Sequence, residues 1–411
     1  MNVTTSRRDL LELLGKLAVA IPTRTHLGVL NNFLVKTDRN QIMVVSTDLE
    51  VQLSGHCKAQ VSEPGELLLP TNALNFLKAS TAEKVTLVGT STGKRVKDRP
   101  VQVYDTDANE GRGAFVEGPK PKARMAYSYN VSLQANGSKT SMPTMGPEDY
   151  IPVKEVKGSR VVFTGLLKAV KEVAYATARE DARPVLMCIS MKATKRGFVE
   201  LAAADGFRLA ISTLKVKGKV EDQLLLSPEV VKMMQKLFGE SIVMTVEGKK
   251  EDRPISKRDE NSPDGFAHEV ITTWWLRFSC NGLDLVTMSR QGTYPDYEQL
   301  VPKKGSSLKV ETADLKEAVR MAMSMGASSG IVRLQTVKAG LKVSGSENGT
   351  VTESSIKAQG KAKIAFNGSH LMDMCNQSPK TMELRLTTPS SPGVVKNNGN
   401  THVLMPMFVQ W

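Results

Sequence analysis

Asp9-Leu10-Leu11-Glu12-Leu13-Leu14-Gly15-Lys16-Leu17, Leu166-Leu167-Lys168-Ala169-Val170-Lys171-Glu172-Val173 and Asp314-Leu315-Lys316-Glu317-Ala318-Val319-Arg320-Met321 share one pattern: apolar residues at helical spacing with charges between them. The pattern recurs about every 150 residues, the mark of an internal repeat. Strand-like alternation follows each copy. Then comes a short apolar strand that runs into a second helix. These strands are Glu66-Leu67-Leu68-Leu69-Pro70, Gln223-Leu224-Leu225-Leu226-Ser227-Pro228 and Lys363-Ile364-Ala365-Phe366-Asn367. The helices after them are expected to begin near Ala73, Glu229 and His370. Ser227 before Pro228 is a cap followed by proline at the first helical position. The offsets from Leu10 to Leu69, Leu166 to Leu226 and Leu315 to Phe366 are nearly equal. Lys97-Asp98-Arg99-Pro100 and Glu251-Asp252-Arg253-Pro254 fall at corresponding places in the first two copies.

The expectation is an α+β chain of three like domains, each with two helices packed on antiparallel sheets. The domains are 1–153, 154–303 and 304–411. Their boundaries lie near Val153–Gly158 and Val301–Ser306, both rich in Pro, Lys and Gly. Ser91 to Met125 and Gly248 to Gly265 break the repeat. They are rich in Gly, Pro and charge, and are expected to be surface excursions.

Composition bounds the function. Apolar residues are 40% and charged residues 24% of the 411, so the chain can bury cores. Aromatics are only 5%, which leaves aliphatic and Met side chains to fill those cores. Lys and Arg number 55 against 42 Asp and Glu, a net charge of +13. That surplus suits a polyanionic partner, or simply a solvated basic surface. Cys57, Cys188, Cys280 and Cys375 form no C-x-x-C pair and are expected to be free thiols in a reducing compartment. Met1 to Asp9 is polar, and no apolar stretch approaches the ~20 residues of a membrane span. The chain is therefore expected in the cytoplasm, without a membrane partner.

Motifs for chemistry are missing. No Gly-Lys-Ser/Thr phosphate loop, G-x-G-x-x-G, H-E-x-x-H or G-x-S-x-G occurs. His26, His56, His268, His370 and His402 are scattered singly. Asp105 and Asp107 pair in a polar excursion, and Asp48 and Glu50 are expected on one side of a strand. Neither pair has a third ligand near it in sequence. No metal, cofactor or catalytic residue is expected.

Six short motifs, in order, resemble the bacterial-type sliding clamps, the β subunits of DNA polymerase III. Arg24-Thr25-His26-Leu27-Gly28-Val29-Leu30-Asn31-Asn32 resembles the family's Arg-Pro-Thr-x-Pro-Ile-Leu-x-Asn. Ser46-Thr47-Asp48-Leu49-Glu50-Val51 resembles its Ala-Thr-Asp-Leu-Glu strand. Asp181-Ala182-Arg183-Pro184-Val185-Leu186 precedes a strand, and Ala203-Ala204-Asp205-Gly206-Phe207-Arg208-Leu209-Ala210 is similar to Ala-Thr-Asp-x-His-Arg-Leu-Ala. Gly292-Thr293-Tyr294-Pro295-Asp296-Tyr297 and Val403-Leu404-Met405-Pro406-Met407 match the family's Tyr-Pro-Asp-Tyr and its terminus. The resemblance covers essentially the whole chain.

It implies a head-to-tail homodimer, a closed ring of six domains around double-stranded DNA. The ring would be held without regard to sequence and would tether the replicative polymerase, the clamp loader and other proteins that carry a clamp-binding motif. Lys168 and Lys171, Lys232 and Lys236, and Lys316 and Arg320 each share a helical face. With Arg24 and Arg183 they are the expected phosphate contacts. The partner peptide is expected in a pocket of Leu186, Asp205, Gly206, Phe207, Arg208, Leu209, Pro295, Gln299, Leu300, Val403, Leu404, Met405, Pro406 and Met407. Met repacks readily, which suits a groove for several related peptides. Phe207 stands where the family commonly has His and Gln299 where an Arg is frequent, while Phe408-Val409-Gln410-Trp411 extends the terminus. The net charge of +13 also departs from the acidic chains common in the family. The alternative is a basic scaffold that coats DNA without encircling it.

Overall fold

Ser6 ends the first strand and starts the first helix, because its Oγ accepts the Asp9 N–H at 3.3 Å and so satisfies a donor the helix cannot. The computed structural model describes residues 1–96, 102–105, 114–117, 124–180, 183–194, 197–220, 222–258, 266–302, 304–324, 330–347 and 349–411. These fall into two units, Met1–Glu155 with Gly282–Leu285, and Val156–Asn281 with Val286–Trp411.

In the first unit the elements are β1 (Asn2–Ser6), α1 (Arg7–Leu17), β2 (Asn32–Asp38), β3 (Gln41–Thr47), β4 (Val51–Glu63), β5 (Glu66–Pro70), α2 (Ala73–Ala79), β6 (Lys84–Val96), β7 (Gln102–Asp105), β8 (Ala114–Glu117), β9 (Arg124–Ala135) and β10 (Ser138–Thr144). The ladder runs β10-β9-β6-β1-β4-β3-β2-β5, antiparallel throughout. Val3, with Val61 and Leu87 opposite it, is fully buried. Helix α1 buries Leu10, Leu13, Leu14 and Leu17 and packs on β4 and beside α2. Gly55 permits that approach: a Cβ there would lie 2.6 Å from Leu13 Cδ1.

The second unit continues with β11 (Ser159–Thr164), α3 (Leu166–Ala174), α4 (Pro184–Met187), β12 (Ile189–Thr194), β13 (Phe198–Ala204), β14 (Arg208–Lys217), β15 (Leu224–Leu226), α5 (Pro228–Leu237), β16 (Ser241–Arg258), β17 (Phe266–Cys280) and the last residues of β18 (Leu283–Met288), whose first three belong to the first unit. It ends with β19 (Ser306–Glu311), α6 (Thr312–Ser324), β20 (Ile331–Val337), β21 (Gly340–Glu347), β22 (Thr350–Ile356), β23 (Ala358–Gln359), β24 (Lys363–Asn367), α7 (Gly368–Asn376), β25 (Thr381–Leu386), β26 (Gly393–Asn397) and β27 (Asn400–Leu404). One antiparallel ladder runs β15-β12-β13-β14-β27-β26-β25-β19-β23. Its middle joint sets Leu209 opposite Val403 and Arg208 opposite Leu404. A four-stranded sheet, β22-β21-β20-β24, packs with α6. Helices α3 and α5 lie together, as do α6 and α7. The α5 start is the one expected: Ser227 Oγ accepts the Val230 N–H at 3.4 Å and Pro228 fills the first position.

One expectation gains detail and another is corrected. The excursions are extended hairpin arms wherever they are described. Ser91–Val96 continues β6 against Arg124–Tyr129 of β9, and Gly248–Pro254 of β16 pairs with His268–Trp274 of β17. Among the described side chains of these arms, Ser91 to Gly93, Gly248 to Lys250 and Val270 are exposed and Ile271 to Trp275 half-buried, so no buried stripe there imposes an alternation to read. Their register is inherited from buried Val85, Leu87, Met244 and Val246. The Lys97–Pro100 echo, Asp107 and much of both excursions lie outside the described residues. Second, Asp48 and Glu50 are not on a strand. They form the turn between β3 and β4, where Asp48 Oδ1 accepts the Glu50 and Val51 N–H groups at 3.0 and 2.8 Å.

Candidate functional site

Each helix of the second unit that carries paired cations buries one stripe and exposes the other. Leu166, Ala169, Val170 and Val173 fix the inner face of α3, which leaves Lys168 and Lys171 exposed. On α5, Val230, Val231, Met233 and Met234 are buried while Lys232 and Lys236 face out. On α6, Leu315, Ala318, Val319 and Ala322 are buried, Arg320 is exposed and Lys316 is half-buried. Because α3 and α5 pack together, four lysines share one helical layer. None of these six cations forms an ion pair among the described residues, whereas Lys16 on α1 is bound to Glu12 at 2.7 Å. Arg24 is exposed in a loop of the first unit, and Arg183 is exposed just before α4. Asp181 and Ala182 lie outside the described residues.

The expected pocket residues form two groups around the β14–β27 joint. Leu186, Leu209 and Val403 sit in one buried cluster with Tyr294, Tyr297, Val394 and Leu225. The strand pleat sends Leu404 to the opposite face, into the core beneath α6 and α7. Pro295, Gln299 and Leu300 are exposed on the segment after β18, where Gln299 Nε2 donates to Asp296 Oδ2 at 2.8 Å. After β27 the chain stays extended. Met405 N donates to Phe207 O and Met407 N to Ala365 O, both at 2.8 Å. Pro406 is buried between two half-buried methionines. Trp411, past them, lies over Lys363 at 5.3 Å.

Asp205 to Arg208 is the turn between β13 and β14. Asp205 Oδ1 accepts the Phe207 and Arg208 N–H groups at 2.9 and 3.0 Å, and Gly206 adopts φ +91°. Phe207 is 62% exposed and stacks on His370 at 6.3 Å. The Arg208 side chain points inward. Its Nε donates to Asp205 Oδ2 at 2.9 Å and its Nη1 to Asp373 Oδ2 at 2.5 Å, and its guanidinium lies 5.2 Å from the Tyr175 ring centre. Tyr175 OH meets His402 Nδ1 at 3.0 Å. Burial pushes His402 down to about 4, so the ring is neutral at pH 7. Burial raises the hydroxyls of Tyr175, Tyr294 and Tyr297. Burial and then the Arg208 charge hold His370 below its ordinary value. A cleft of about 320 Å³ opens beside this network, lined by Thr177, Arg179, Glu180, Phe207, His370 and Asp373 among others.

Sequence reasoning missed Tyr175, His370, Asp373 and Val394. Asp373 sits 165 residues from Arg208, and no local pattern joins them. Among the described residues no group of three His, Cys, Asp or Glu is placed to hold a metal, and no helix is long and apolar enough to cross a membrane.

Residues 1–98 match the family described as DNA polymerase III beta subunit, N-terminal domain. A beta sliding clamp of Pseudomonas putida is 23% identical over 99% of this chain and 100% of its own. Among solved structures, the DNA polymerase III subunit beta from Pseudomonas aeruginosa has a TM-score of 0.76 at 20% identity, covering 99% of this chain and 100% of that one. A sliding clamp from Bartonella birtlesii, bound to griselimycin, has a TM-score of 0.74 at 17% identity and covers 100% of both chains. These structural likenesses show that the α+β, sheet-rich fold is shared along the whole chain.

Proposed function

We propose that this chain is a member of the DNA polymerase III beta-subunit family and works as a sliding clamp that encircles duplex DNA and tethers the replicative polymerase to it. The observation that carries the DNA side is the set of cations on α3, α5 and α6 that stand off the buried stripes and form no ion pair among the described residues. Such cations meet phosphates without reading bases, and their attraction weakens with salt. A ring that must slide needs that weak, sequence-blind attraction. Retention comes instead from topology, since a closed ring cannot leave sideways, and no step requires a catalytic residue.

Three like domains, 1–153, 154–303 and 304–411, in each of two head-to-tail chains would close a ring of six. Repetition is supported by the helix pairs α1 with α2, α3 with α5, and α6 with α7. Pairing of chains is supported by open edges: among the described strands β10 pairs only with β9, and β22 only with β21. An open edge is a template for another strand. Light scattering on the pure protein should give a mass near twice 44.8 kDa; a monomer at micromolar concentration would remove the ring.

The groove around Leu186, Leu209, Val403 and Met405 to Met407 is the proposed docking place for the polymerase, the clamp loader and other partners through a short apolar peptide. Its support is the buried cluster that holds Leu186, Leu209 and Val403 together, with exposed Phe207 bound through its carbonyl to the N–H of half-buried Met405 at the same seam. Replacing Met405 and Met407 together with Glu should abolish binding of a labelled Leu- and Phe-containing pentapeptide and leave the dimer intact. Unchanged affinity would remove the groove from the account.

A further inference from the structure

We infer that Asp373 is a positioning residue for the docking groove, acting through Arg208 as a latch across the seam between β14 and β27. The inference rests on the docking reading of that groove. Its starting point is a buried cation. The Arg208 side chain is 5% exposed, and two carboxylates compensate it from different elements. Asp205 belongs to the same turn. Asp373 comes from α7, on the far side of the seam. Tyr175, at the end of α3, covers the guanidinium with its ring and reaches His402 of β27 through its hydroxyl. One side chain thus ties the β13–β14 turn, α3, α7 and β27 together.

The tie bears on the groove because the turn also carries the tail. Phe207 O accepts the Met405 N–H at 2.8 Å, so the backbone that Arg208 anchors is the backbone that holds Met405 to Met407 in line. Phe207 and His370 stack on one another and line the same cleft as Arg208 and Asp373. Asp205 alone would be a local contact three residues away in sequence, and it would not fix the turn against α7. Charge-assisted pairs of this kind are the strong ones, and a buried cation that loses a partner must move or recruit water. Asp373 can be tested cleanly because its side chain is 37% exposed, so a neutral replacement there buries no new polar group. Nothing here requires Asp373 to touch a ligand.

The experiment uses the full chain and the variants Asp373→Asn, Asp373→Glu, Arg208→Gln and Asp373→Asn/Arg208→Gln. Two quantities are read. One is deuterium uptake of the segment 403–411 by mass spectrometry without ligand. The other is the affinity of the labelled Leu- and Phe-containing pentapeptide. Asp373→Asn should speed uptake in that segment and weaken the peptide about tenfold, mainly through faster dissociation. Uptake across α6 and β20 should stay unchanged. Asp373→Glu should restore most of both losses. In the Arg208→Gln background, Asp373→Asn should add nothing. Unchanged uptake in Asp373→Asn, or an equal loss in Asp373→Glu, overturns the latch, as does an undiminished effect without Arg208. A wild-type chain that binds no peptide while uptake still responds overturns the docking reading and, with it, the role of the latch in docking.

Discussion

Asp48 and Asp205 do the same work in two places. Asp205 Oδ1 receives the N–H groups two and three residues on, and so does Asp48 Oδ1. The residue after each aspartate has positive φ, 80° for Leu49 and 91° for Gly206. Leucine is strained there and glycine is not. Gly206→Leu should therefore cost about 1 kcal/mol and lower the urea midpoint without changing the slope; a midpoint at or above wild type would show that the turn carries no strain. Leu209, 2% exposed, sits in the seam next to Arg208, opposite Val403. Leu209→Ala should cost about 2–5 kcal/mol, the usual range for an emptied leucine site, measured by urea unfolding.

At the scale of elements, the β14–β27 joint holds a neutral imidazole. His402 is fully buried, opposite Ala210, with its ionisation pushed down to about 4 against an ordinary 6.5. Between these values the unfolded chain binds the proton and the folded chain does not. The contribution is therefore complete above pH 6.5 and falls away as pH drops toward 4. His402→Gln should remove this part of the pH slope, read from urea midpoints between pH 7 and 4. An identical slope in the variant would place the acid sensitivity elsewhere. This seam was only half legible in sequence. The apolar period of α3 and α6, the Ser227-Pro228 start of α5 and the short strands β15 and β24 are local signals, and their positions follow from them. The hairpin arms are not, because their described side chains include no buried stripe to impose a hydrophobic alternation. Leu186, Leu209 and Val403 come from one motif set and fall into one cluster, but the pleat that turns Leu404 away needs the register with Arg208. Asp373 and Tyr175 could not be found at all, since the guanidinium that gathers them is a tertiary feature.

Taken as a whole molecule, the chain spreads its cations over several helices instead of concentrating them. Lys168 and Lys171 on α3 are exposed and form no ion pair among the described residues. Replacing both with Glu should weaken DNA association and reduce the steepness of its salt dependence by about two, at roughly 0.9 per phosphate contact. Peptide docking should not change, because the groove lies on other residues. An unaltered salt slope would take α3 off the DNA path. A scaffold that merely coats DNA would depend on the same lysines, so charge alone does not separate the two readings; topology does. The decisive measurement is retention after a high-salt wash on nicked circular DNA loaded by the clamp loader, before and after the circle is cut once. A closed ring predicts protein that stays on the intact circle and runs off once an end exists. Equal retention on both forms, or loss from both in salt, would contradict it.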